Sequence, residues 1–189
     1  MTFLAELWVP ILLSAVFIFV ASSVIHMATP MHKGDYKKLT NEAGLLESMR
    51  AHGVEPGTYM FPCAGSMKEM SSPEMIEKMK RGPVGWMTIL PPGGANMGKC
   101  LGQWFLYSIV VSVFAAYVGW HALGAGAPYL SVFRIIGTVT FMTYAMDHMT
   151  ESIWKGLSWG TNFRFVVDGA IYALVTAGTF GWLWPQAAS

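Results

Sequence analysis

The chain has 189 residues and a formal net charge of +1; 53% of its residues are hydrophobic and only 12% are charged. Soluble domains carry about 25% charged residues, so roughly half the usual charge is missing. This composition predicts an all-α integral membrane protein whose first partner is the lipid bilayer of a bacterial-type inner membrane, and the near-neutral balance gives no basis for nucleic-acid binding.

The first apolar run covers residues 4–27. A bilayer core takes about 20 helical residues, so this run is long enough to span. Pro10 falls in its first turns, where a proline disturbs a helix least. A cleaved signal peptide would open on basic residues, whereas this run is preceded by none and contains Glu6. Residues 1–27 are therefore expected to stay as transmembrane helix one.

Residues 28–101 read as a polar insertion holding nine of the twelve Lys and Arg residues. Thr40 or Asn41 can cap a short helix that Gly53 stops. Ser72 and Pro73 open a second, whose basic end of Lys78, Lys80 and Arg81 runs into Gly82 as the helix dipole prefers. Leu45, Leu46 and Met49 on the first, and Met75, Ile76 and Met79 on the second, give each an apolar side, so both are expected to be short amphipathic helices. The segments 53–67 and 82–98 are punctuated by Gly and Pro around apolar centres. They read as ordered loops or short extended pieces, too interrupted to span. Cys63 and Cys100 match neither a disulfide framework nor a zinc spacing and are expected to be free thiols.

Residues 102–189 hold three further spans, at about 103–123, 129–149 and 165–184, with a polar connection at 150–162. In this four-helix arrangement eleven of the twelve Lys and Arg residues lie on the side of the insertion. The positive-inside rule then puts the insertion in the cytoplasm and both termini outside. Trp8, Trp120, Trp182 and Trp184 would line the outer interface, and Trp104, Trp154 and Trp159 the inner one. Gly169, Ala173, Ala177 and Gly181 recur at every fourth residue of helix four, a small-residue stripe that lets another backbone approach. Helix two is its expected partner, with a homo-oligomer face as the alternative.

Ionisable groups in or near a bilayer are costly and mark candidate sites. His148 and Glu151 are three residues apart on one helical face beside Asp147, a spacing that suits metal ligation only in part, because the Glu-x-x-His order of di-metal bundles is reversed and occurs once. Glu151 can instead pair with Lys155. His26 and His148 end two different helices on the same side, so a haem b held between them is conceivable; no CxxCH is present for covalent haem. Arg164 and Asp168 are expected to form an intrahelical ion pair, or else Asp168 faces the bundle toward His148 or His26. Arg134 is expected to snorkel outward from helix three. His26, Met27, Met31 and His32 offer soft ligands for copper, but their spacing closes no site. No GxSxG, HExxH, P-loop or GxGxxG occurs.

With no catalytic motif, the first expectation is a non-enzymatic accessory, assembly or scaffold component of a larger membrane complex, bound to another membrane protein or to its own copies and carrying no cofactor. The alternative is a small transporter or proton- or cation-conducting bundle using Asp168, Asp147, His148 and His26. A third reading is a membrane redox protein holding haem or a transition metal.

Overall fold

The computed structural model describes residues 3–187 and divides into two compact units, Lys38–Asn96 and the remainder of the chain. The larger unit is built from four helices long and apolar enough to cross a membrane: α1 (Phe3–Ala28), α5 (Met97–Leu123), a third from Tyr129 to Lys155, and α8 (Trp159–Trp182). The chain is a multi-pass membrane protein by the length and composition of these helices. The second helix begins at Met97, six residues ahead of the expected Gln103, because Met97–Gly102 contains no breaker strong enough to end it.

The third helix is not uniform. It consists of α6 (Tyr129–Phe141), a π-helical turn (Met142–Met146) and α7 (His148–Lys155). Most of the expected polar connection is therefore helical, and only Gly156 breaks it. That glycine closes α7 in the left-handed conformation, φ 71°, with its N–H donating to the Glu151 carbonyl. Ser158 then caps α8, its hydroxyl accepting from the Thr161 amide at 3.1 Å.

Within this unit α8 packs on α6 and on α1, α1 on α5, and α5 on α6. The small-residue stripe of α8 is used inside the bundle against the third helix, not the second. A Cβ on Gly169 would lie 2.6 Å from the Tyr144 backbone and 2.8 Å from the Ala145 Cα, so α8 touches the π-turn through bare backbone. Ala177 meets Gly137, and Gly181 lies under the Tyr129 ring.

Two clusters fill the interior. Leu7, Ile11, Ala115, Ala116, Val132, Ile136, Phe180 and Trp184 form an apolar core near the start of α1 and the end of α8. Toward the other end Ile18, Ile25, Val111, Tyr144 and Tyr172 form a second, with Trp104 against it. Two tryptophans expected at the interfaces are thus packed inward. Trp184 is buried and donates its indole N–H to the Gly124 carbonyl at 2.8 Å; Trp104 donates to Ser22 Oγ at 3.0 Å. Each indole enters the protein because its N–H finds an acceptor there.

The smaller unit contains α2 (Glu42–Ala51), β1 (Gly57–Phe61), α3 (Met67–Met70), α4 (Pro73–Arg81) and β2 (Gly85–Ile89). Asn41 caps α2 and Ser72 caps α4, and Gly82 ends α4 with φ 62°. The two Gly- and Pro-punctuated segments supply strands that pair antiparallel, Gly57 opposite Ile89 and Phe61 opposite Gly85. Such a pairing joins segments about 25 residues apart, beyond the reach of any local turn signal. Cys63 and Cys100 are both free and exposed.

Candidate metal centre

Asp168 sits nine residues into α8, about 14 Å along the helix axis at 1.5 Å per residue. Its side chain is only 4% exposed. A carboxylate in that position demands a partner, and the chain brings three elements to it. The end of α1 contributes His26, the turns that follow α1 contribute His32 and Asp35, and α8 contributes Arg164 from one turn below.

His32 Nε2 lies 2.9 Å and His26 Nε2 3.8 Å from Asp168 Oδ2. Among the described residues, His26, His32 and Asp168 are the one set of three His, Cys, Asp or Glu side chains whose donor atoms all fall within 4.8 Å of one another. The two imidazoles stack in parallel, with ring centroids 4.5 Å apart and planes 5° from coplanar. Phe165 packs against the His32 ring.

The other ring nitrogens both meet oxygen acceptors. His26 Nδ1 lies 3.0 Å from the Ser22 carbonyl, which can only accept, so Nδ1 carries a proton and donates there. His32 Nδ1 lies 2.6 Å from Asp35 Oδ2. Asp35 is a charged carboxylate: burial alone would raise its pKa, but its hydrogen bonds to His32 and Arg164 and the charges beside it outweigh that and hold it below the ordinary value. It therefore accepts the Nδ1 proton of His32, whose Nε2 is the nitrogen that faces Asp168. Arg164 anchors the arrangement, its Nε 2.6 Å from Asp35 Oδ1 and its Nη2 on the same oxygen.

His32 Nε2 and both Asp168 oxygens are buried, and the nitrogen stands 2.9 Å from Asp168 Oδ2, an ion-pair distance. A separation of 2.9 Å also suits two ligands of one ion, since atoms sharing an ion at about 2.0–2.2 Å lie about 2.8–3.6 Å from each other. The histidine with a hydrogen-bonded far nitrogen, one on a carboxylate and one on a backbone carbonyl, is the usual outer shell of a metal site.

The residues singled out from sequence fall as follows. His26 and Asp168 come together; His148 instead stacks on the face of Phe165, with ring centroids 5.2 Å apart, and its carbonyl accepts from Asn162. Asp147 is exposed, and Glu151 pairs with Lys155 at 2.8 Å. His148, Glu151 and Asp147 do not form a converging donor set among the described residues. The expected ion pair between Arg164 and Asp168 is replaced by two others, Arg164 with Asp35 and His32 with Asp168, because the chain leaving α1 folds back over α8 and inserts between them. The sequence offers His32 only as one of four candidate copper ligands and gives no sign of Asp35. The spacing His26-x5-His32-x2-Asp35 is the available signal, but it matches no local motif. Comparison with protein-family models, characterised proteins and solved structures returns no match for this chain.

Proposed function

We propose that this is a membrane protein that binds one divalent transition-metal ion through His26 Nε2, His32 Nε2 and an Asp168 oxygen. The observation that carries the reading is the buried convergence of His32 Nε2 and the Asp168 carboxylate beside His26, with Nδ1 of both histidines turned to oxygen acceptors. Two imidazoles and a carboxylate suit zinc, iron(II), cobalt(II) or nickel(II), and three protein donors leave positions for water or a small ligand. His26 is the adjustable member: its side chain is 45% exposed, so the ring has room to bring its Nε2 in from 3.8 Å to the spacing that ligands of one ion keep. A conducting role is less well supported, since the interior beyond the site ends in the apolar cluster of Leu7, Ile11, Val132, Ile136 and Phe180.

The test is metal analysis of the full-length protein after dialysis against cobalt(II), with the absorption spectrum of the bound ion. About one cobalt per chain with d–d bands is expected, lost in Asp168→Asn and His32→Ala but kept in His148→Ala. Equal, substoichiometric cobalt in all four proteins would overturn the reading.

In this proposal the protein belongs to an inner membrane, with the smaller unit cytoplasmic and both termini outside. The charge asymmetry supports that orientation. An accessory role beside another membrane protein draws support from the smaller unit, where Val84, Trp86 and Leu90 are exposed. Its check is copurification from the native membrane.

A further inference from the structure

Arg134 stands apart from the metal site. It lies five residues into α6, about 7 Å from the helix start, and is exposed on the bundle's flank. Among the described residues it makes no ion pair or hydrogen bond, whereas the other arginine on a membrane-spanning helix, Arg164, is held by Asp35. An unpaired guanidinium at that depth requires an anion or water, and a lone charge on a span is costly in hydrocarbon.

The surface beside it is concave. Between α6 and α8 runs a groove of about 350 Å³, lined by Arg134, Gly137, Thr138 and Phe141 on one side and by Ala173 and Leu174 on the other. The helices come close at its floor, where a Cβ on Gly137 would lie 3.3 Å from the Ala177 Cβ. From Arg134 to Phe141 the groove follows α6 for about 10 Å. One end therefore offers a five-donor cation, and the rest offers small residues flanked by aromatic and aliphatic walls.

We propose that this groove holds an anionic phospholipid, its phosphate on the Arg134 guanidinium and one acyl chain laid along Gly137, Thr138 and Phe141. A guanidinium matches two phosphate oxygens in its plane, and a phosphate at the headgroup level gives this lone cation on a span its counter-charge. The apolar floor distinguishes this from a site for a free anion, because a free phosphate would use the arginine alone. The inference is independent of the metal reading.

The experiment is native mass spectrometry of the full-length protein in detergent, titrated with phosphatidylglycerol or phosphatidylcholine. Wild type is expected to retain one phosphatidylglycerol at least tenfold more strongly than phosphatidylcholine. Arg134→Gln should remove that preference, and Arg134→Lys should keep part of it. Thr138→Phe, which fills the groove at a lipid-facing position without touching the charge, should weaken retention of phosphatidylglycerol as well. Equal retention of the two lipids by wild type, an unchanged preference in Arg134→Gln, or unchanged retention in Thr138→Phe would each overturn the proposal.

Discussion

At the scale of single residues, the proposed metal site separates side chains that would touch an ion from those that set their direction. Asp35 acts through His32 by accepting the Nδ1 proton at 2.6 Å. Asp35→Ala is expected to weaken metal affinity about 10–100-fold while leaving one ion per chain at saturation, since loss of an outer-shell partner costs about that much. Asp35→Asn, which keeps an acceptor, should recover part of it; a cobalt titration reads both. Ser22 offers the complementary case. His26 is oriented by the Ser22 backbone carbonyl, whereas the hydroxyl serves Trp104. Ser22→Ala should therefore cost about 1 kcal/mol of stability through the lost indole bond and leave cobalt affinity unchanged. Arg164→Gln leaves Asp35, 2% exposed, with only His32 to support its charge, and should cost about 1–3 kcal/mol in reversible unfolding from micelles.

At the scale of elements, the irregular part of the third helix and the regular stripe of α8 explain each other. The π-turn at Met142–Met146 presents the Tyr144–Ala145 backbone to Gly169, the residue next to Asp168. Local widening of a helix is common beside functional sites. Here it gives α8 a bare surface to lean on, and Asp168 is held in register by that contact. Gly169→Ala would force a methyl to within 2.6 Å of backbone atoms that have no flexible end to give way. It is expected to cost about 1–3 kcal/mol by overpacking and to lower cobalt affinity together with stability, whereas Gly160→Ala, with only the Arg164 side chain within reach of a new Cβ, should do neither. Thermal unfolding of both variants beside wild type checks this.

At the scale of the whole molecule, the charge distribution and the interior make separate statements. Eleven of twelve basic residues on one side predict that a reporter fused after Ser189 reads extracytoplasmic; cytoplasmic reporter activity would reverse the topology without touching the metal site. The interior is polar at the site and apolar at the far end, where Phe180 and Trp184 close it. Proteoliposomes are accordingly expected to show no proton flux that depends on Asp168, measured as equal leak in wild type and Asp168→Asn.

The amino-acid sequence by itself determined the class and the number of spans, because both depend on apolar length, which is additive along the chain. It also narrowed the caps to Thr40 or Asn41, Ser72 and Gly82, since capping is a contact over three or four residues. It marked Asp168, His26 and the stripe at Gly169 as exceptional, because a charge or a repeat of small residues in a span is legible without a partner. Only the tertiary structure decided who those partners are. Asp168 chose His32 over Arg164, four residues away, because the turns after α1 fold onto α8 and Asp35 captures the arginine. The stripe of α8 chose the third helix over the second for a similar reason. A glycine records that a backbone will come close, but which backbone arrives depends on where a π-turn widens another helix. Contacts between groups more than a hundred residues apart leave no periodicity to read, and such contacts bring Asp168 and Arg164 to the candidate metal centre.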